Sequence, residues 1–143
     1  MNPDHVTDVV HSNAMFPHGG PSENGFAILC SDDALAGCKQ AAGRQSLIAH
    51  APLSDDVRSE VAALLEHCQF EVPFSELEAV EIHRAHEVRP GSIIVRSRSG
   101  EHKIGFSGKL ARITGGGPDP DAVQDAIAQM IEARAPGKVT RAS

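Results

Sequence analysis

Arg96, Arg98 and Lys103 are the residues whose type and spacing bear most directly on chemistry. Residues 93–99 are β-branched and strand-like, so side chains alternate between faces. Ile93, Val95 and Ser97 share one face, and Ile94, Arg96 and Arg98 the other. A hairpin turn at Ser99-Gly100-Glu101 leads into a returning strand over 102–107, where Ile104 and Phe106 point one way and Lys103, Gly105 and Ser107 the other. The three cations then converge on one exposed surface, with His102 at its margin and Arg84, Lys109 and Arg112 as outer members. A surface patch of one sign attracts anions, so this hairpin is the expected ligand-binding site, for a lipid headgroup or an acidic peptide. The competing reading is a solvated sheet face whose charges keep edge strands from pairing with other chains. Nucleic acid is disfavoured as the partner. The chain carries a net charge of −6, has no Trp or Tyr, and interleaves no aromatic with its basic residues to stack bases.

Other reactive residue types lack partners at a useful spacing. Residues 114–121, Thr-Gly-Gly-Gly-Pro-Asp-Pro-Asp, run from a strand into a helix N-terminus, a place where phosphate is often held. Asp119 and Asp121 already bring negative charge there, and no Lys or hydroxyl stands at Walker spacing. His83 and His86 are three apart, which suits a shared face only on a helix; on a strand an odd spacing sends them to opposite faces. Cys30 and Cys38 fall outside close metal-ligand spacing, and the neighbours His67 and Cys68 diverge by about 100° on a helix. No metal and no cofactor are expected. A Cys–His nucleophile pair using Cys30 or Cys38 is the one catalytic arrangement to weigh, against the commoner role of free Cys as a small hydrophobe. Neither G-x-S-x-G nor H-E-x-x-H occurs, and Glu76, Glu78 and Glu81 read as solvated charge at a strand rim.

A chain of 143 residues suits one domain with a real core. With five Phe and no Trp or Tyr, that core must be mainly Ile, Leu, Val and Ala. The apolar runs are far shorter than the roughly 18 residues of a membrane span. The first twenty residues carry Asp4 and Asp8 and no apolar h-region, so neither a transmembrane segment nor an export signal is expected. The cytoplasm is then the expected compartment, with Cys30, Cys38 and Cys68 as thiols. Charge is unevenly spread. Residues 82–114 hold seven Lys/Arg against two acids, a local +5 that leaves −11 for the rest.

The elements that must position these residues follow from period and punctuation. Residues 1–24 are polar and aperiodic and are expected to form a mobile arm. Residues 25–136 form the single α+β domain, and 137–143 a tail. Residues 25–30 read as a buried strand. After it, 31–43 is either a helix capped by Ser31 or a turn into a second strand over 34–39. Residues 47–50 are a weaker strand candidate. A helix follows over about 54–68, with Ser54 as cap, Asp55 and Asp56 complementing the dipole, and Val57, Val61, Leu64, Leu65 and Cys68 as its apolar stripe. Phe70, Val72 and Phe74 then alternate, with Pro73 confining them to an edge, and Val80 and Ile82 alternate after them. Pro90-Gly91 makes a turn. A closing helix over about 119–134 is capped by Asp119, has Pro120 in its first turn, and presents Val123, Ile127, Met130 and Ile131 as its buried stripe. With no βαβ alternation, the fold class is α+β: a curved antiparallel sheet or partly open barrel with an inserted helix and a C-terminal helix.

Several stretches carry a resemblance. Phe26-Ala-Ile-Leu-Cys-Ser-Asp-Asp-Ala-Leu-Ala-Gly is similar to an early hairpin, and Val72-Pro-Phe-Ser-Glu-Leu-Glu-Ala-Val-Glu-Ile to a strand entry. Residues 92–106 make the next hairpin and 120–133 the closing helix. This resembles the bacterial pleckstrin-homology-like domains over about residues 25–134. The resemblance implies a sheet plugged at one end by its C-terminal helix, and a binding or interaction module rather than an enzyme. The helix at 54–67 departs from the family as an insertion, and the closing helix lacks the Trp common in eukaryotic members. Such folds host lipid binding, peptide binding and plain oligomerisation alike. The expected function is a non-enzymatic module that binds an anionic ligand through the basic hairpin. The alternatives are a small enzyme using a Cys or His in a cleft between inserted helix and sheet, and a homo-oligomerising structural domain.

Overall fold

In the computed structural model, which describes residues 1–12, 15–17, 25–40, 47–106 and 120–142, the apolar and β-branched runs pair into two five-stranded sheets. The first has the order β5-β1-β3-β4-β6 and the second β10-β7-β8-β9-β2. The strands are β1 (Val6–Ser12), β2 (Met15–Pro17), β3 (Gly25–Ser31), β4 (Ala34–Gln40), β5 (Leu47–His50), β6 (Cys68–Pro73), β7 (Leu77–His83), β8 (Gly91–Ser97), β9 (Gly100–Phe106) and β10 (Val139–Ala142). All pairings are antiparallel except β10 with β7. Helix α1 (Asp55–Leu65) is inserted between β5 and β6, and helix α2 (Pro120–Glu132) follows the second sheet. The protein is α+β, and neither sheet closes into a barrel among the described residues. No helix among them is long and apolar enough to cross a membrane.

Sheet one is buried on both faces. Its inner face, through Val10, Phe26, Ile28, Leu35 and Val72, meets Val80, Ile82, Val95, Ile104 and Phe106 of sheet two and Val123, Ile127, Met130 and Ile131 of α2. Its outer face, through Val6, Val9, Ala27, Leu29, Ala36 and Cys38, is covered by Val61 and Leu64 of α1. A strand apolar on both sides cannot alternate, which is why Phe26 to Cys30 reads as an unbroken run. An aromatic column ties the sheets together. Phe70 of β6 stacks on His102 of β9 with centroids 4.4 Å apart, and the Phe26 ring lies 6.4 Å from that of Phe70. Gly37 faces Phe70 across the ladder, and a Cβ there would lie 2.2 Å from the ring, so the absent side chain makes room for the column.

The structure departs from the sequence expectations at several points. Residues 1–24 are not an arm throughout: β1 lies inside sheet one between β5 and β3, with Val6, Val9 and Val10 buried. Seven residues interrupted by a bulge are too short and too broken to show the period. Within 137–143, β10 pairs with β7, so the tail supplies an edge strand. Of the two options for 31–43, the hairpin forms. The Ser31 hydroxyl accepts from the N–H groups of Asp33 and Ala34 and turns the chain into β4 rather than capping a helix. Cys68 is not part of the α1 stripe but opens β6.

Helix α2 is fastened at both ends by polar side chains. At its N-terminal end Gln124 donates to the carbonyl oxygens of His83 (2.9 Å) and Ser92 (3.4 Å) in sheet two. Arg84 bonds Asp125 (2.5 Å) and the Asp121 carbonyl (3.0 Å). Beyond its C-terminal end Arg134 donates to Asp8 and Thr7 of β1 in sheet one. Asp8 also meets His50 Nδ1 at 2.5 Å. Burial alone would push the Asp8 carboxyl up, but the hydrogen bonds from His50 and Thr7 and the charge of Arg134 outweigh it, and Asp8 titrates below its usual value of 3.8.

A carboxyl depressed in the folded state adds stability above its unfolded pKa and loses it as pH falls through the folded value. Asp8→Asn is therefore expected to lower stability by about 3 kcal/mol at neutral pH, since it strips one partner from a mostly buried pair. Denaturant titrations at neutral pH and below about pH 4 should show the gap between variant and parent shrinking with acid. A gap that is constant with pH would refute the assignment.

Candidate functional site

The second sheet turns one face to the core and the other outward, and the outward face carries the basic residues. On β8, Ile93, Val95 and Ser97 are buried while Ile94 and Arg96 face out, and on β9 Ile104 and Phe106 are buried while Lys103 is exposed. That alternation matches the expected one. The turn is shifted by a residue: Ser97 pairs with Gly100, so Arg98 and Ser99 form a two-residue turn and Arg98 leaves the strand. This register places Arg96 opposite Glu101 and Ile94 opposite Lys103.

The expected cation cluster is accordingly divided. Arg96 is held by Glu81 at 2.7 Å and by Glu101, and spends its charge on these partners. Arg98 sits at the turn, its N–H donating to the Glu76 carbonyl. Arg84 is bound to Asp125 and α2. Lys109 and Arg112 lie outside the described residues, as does most of the 114–121 loop. Arg96, Arg98 and Lys103 therefore do not form one free surface; of the three, Lys103 belongs to a different grouping.

That grouping is a groove of about 290 Å³ lined by His83, Arg84, His86, Arg89, Pro90, Ser92, Ile94 and Lys103. Four strand residues, His83, Ser92, Ile94 and Lys103, line one part of it, and the loop joining β7 to β8 lines the rest. Beyond His83 the chain leaves the strand, and the His86 N–H donates to the Arg89 carbonyl at 2.9 Å to close the loop. Gly91 makes this fold-back possible: a Cβ there would lie 2.6 Å from the Ala85 nitrogen and 2.7 Å from the His83 oxygen. His83 and His86 were assigned to opposite faces on the assumption of a continuous strand; because the strand stops at His83, the loop returns His86 to the same groove. Beside it a more open hollow of about 500 Å³ shares His86 and Arg89 and adds Glu87 and Val88.

Among the described residues no carboxylate lines the groove. Arg89 and Lys103 are exposed, and among the described residues neither forms an ion pair. Arg89 was missed as a site residue because it sits in a loop whose course no period reveals. Its signal was the Pro90-Gly91 pair after it, which marks a sharp chain reversal. No group of three or more His, Cys, Asp or Glu stands together for a metal ion among the described residues. The thiols expected for a Cys–His pair are buried: burial pushes Cys30 up to about 12 and raises Cys38 as well, so neither rests as the thiolate that such a pair needs. No family model, curated protein or solved structure matches the chain.

Gly91→Ala is expected to cost about 1–3 kcal/mol by overpacking and to displace the 84–90 loop. Amide chemical shifts should change at Arg84, His86 and Arg89 while those of β1 and β3 stay in place. Unchanged loop shifts would show that the close approach does not shape the groove.

Proposed function

We propose that the protein is a non-enzymatic binding module of pleckstrin-homology-like type that takes a compact phosphate-bearing headgroup in the groove between the β7–β8 loop and strand β9. The observation that carries this reading is the convergence of Arg89, Lys103, His83 and His86 on a groove with no acidic residue among the described residues, in a chain of net charge −6. Charge so gathered against the overall balance concentrates anions locally. A volume of about 290 Å³ stands at the small end of ligand pockets, which suits a headgroup better than an extended acidic peptide. Arg89 supplies a planar fork for two phosphate oxygens and Lys103 a point charge. Arg84, already engaged by Asp125, positions the loop and contributes little free charge. Arg96 and Arg98 lie outside the groove and are not ligands in this reading.

Sedimentation with phosphatidylcholine vesicles containing a phosphoinositide tests it. The parent is expected to bind, with affinity falling as salt rises because the Debye length is about 8 Å at physiological ionic strength. The double change Arg89→Glu, Lys103→Glu should weaken binding at least about tenfold and move stability by about 0.5 kcal/mol or less, since both side chains are exposed. Arg96→Glu, Arg98→Glu should leave affinity nearly unchanged. Equal losses in the two double variants would contradict the groove, and a parent that ignores the vesicles would contradict the ligand class.

A further inference from the structure

Cys38 and Cys68 are thirty residues apart in the chain and directly opposite across the β4–β6 ladder. The register slips between Gly37 and Cys38, so that Gln69 is the extra residue on β6 and Cys68 is brought level with Cys38. Lys39 N–H donates to the His67 carbonyl at 3.1 Å, so the ladder hydrogen bond belongs to the flanking residues and Cys38–Cys68 is the non-hydrogen-bonded kind of pair. At such a position the Cα atoms stand about 4.5 Å apart with side chains on the same face, inside the window of roughly 4.4–6.8 Å that a disulfide spans.

The two thiols differ in setting. Cys68 is exposed, beside the end of α1, and its Sγ donates to the Phe70 carbonyl at 3.2 Å. Cys38 is fully buried beneath α1 with Val61 and Leu64. Burial, and next the neighbouring Cys68, raise the Cys38 thiol above its ordinary range, so an oxidant meets Cys68 first. Cys30 lies in the other core, on the opposite face of sheet one, and does not compete.

We propose that Cys38 and Cys68 are a reversible redox pair, oxidised by a peroxide to a cross-strand disulfide. Cys68 sulfur attacks the peroxide O–O bond, takes up one oxygen as a sulfenic acid and releases water from hydrogen peroxide. Cys38 sulfur then attacks the Cys68 sulfur, displacing the oxygen as a second water and forming the S–S bond. Two thiols and one hydrogen peroxide give one disulfide and two waters, and a dithiol reductant reverses the change. The bond would tie edge strand β6 to β4 and enclose β5 and α1 in a covalent loop. This inference stands apart from the anion groove, which lies on the other sheet.

The test treats the folded full-length chain with hydrogen peroxide at low molar excess. The expected product is a monomer about 2 Da lighter, with the Cys38 and Cys68 peptides joined in a digest, Cys30 still alkylatable after denaturation, and a thermal midpoint raised by several degrees. Dithiothreitol should restore the starting mass. Cys68→Ala, a change at an exposed position, should fold normally and abolish the product, while Cys30→Ala should retain it. Oxidation of Cys68 to sulfinic acid with Cys38 still alkylatable, or a dimer linked through Cys68, would overturn the proposal.

Discussion

The anchoring of helix α2 at both ends is the constraint on which the rest of the structure depends. Its apolar stripe packs in one core with the inner faces of both sheets, and apolar packing is non-directional, so the polar contacts fix where the helix sits. Gln124 and Arg84 attach its first turns to the β7 and β8 ends of sheet two. Arg134 attaches the chain just past its last turn to Asp8 in sheet one. A chain with no Trp or Tyr has few large side chains to fix the separation of two sheets. Hydrogen-bonded polar anchors, with the column of Phe26, Phe70 and His102 on the far side, take over that role. The specificity comes from the polar groups, because each satisfies buried donors or acceptors in one arrangement only.

The same anchors shape the groove. Arg84 bonds to α2, which ties the start of the 84–90 loop to the helix, while Arg89 stands exposed at its other end. On the sheet itself, Glu81 and Glu101 consume the charge of Arg96. Of the five described cations in the +5 stretch, Arg84 and Arg96 are held in ion pairs, Arg98 is exposed at the turn, and Arg89 and Lys103 line the groove with two histidines beside them. A local charge count overstates a binding surface wherever the register sets an acid opposite a base.

Much of the architecture was legible from residue patterns. The inserted helix is marked by Ser54 and its acidic first turn, and the closing helix by Pro120 and the stripe from Val123 to Ile131. The β8–β9 hairpin shows clean alternation because one of its faces meets the core and the other meets solvent. Strand β1 was not legible: its bulge breaks the period, and its neighbours in the sheet come from residues 25–31 and 47–50, a pairing that no local signal states. The site was half legible. Lys103 and the outward face could be placed, whereas a one-residue error in the turn hid the Arg96–Glu101 pairing. The fold-back of the loop onto Gly91, which unites His83, His86 and Arg89, is a tertiary contact with no period at all.

In the proposed reading the ligand is held at Arg89 and Lys103 rather than at the hairpin tip. An NMR titration of the full chain with a soluble inositol phosphate tests it most directly, because it reads position rather than affinity. The amide and side-chain signals of His83, His86, Arg89, Ser92 and Lys103 are expected to shift together along one saturable curve, with Arg96, Arg98 and Glu101 nearly still. Shifts concentrated at Arg96 and Arg98, or spread evenly over all basic residues without saturation, would contradict it.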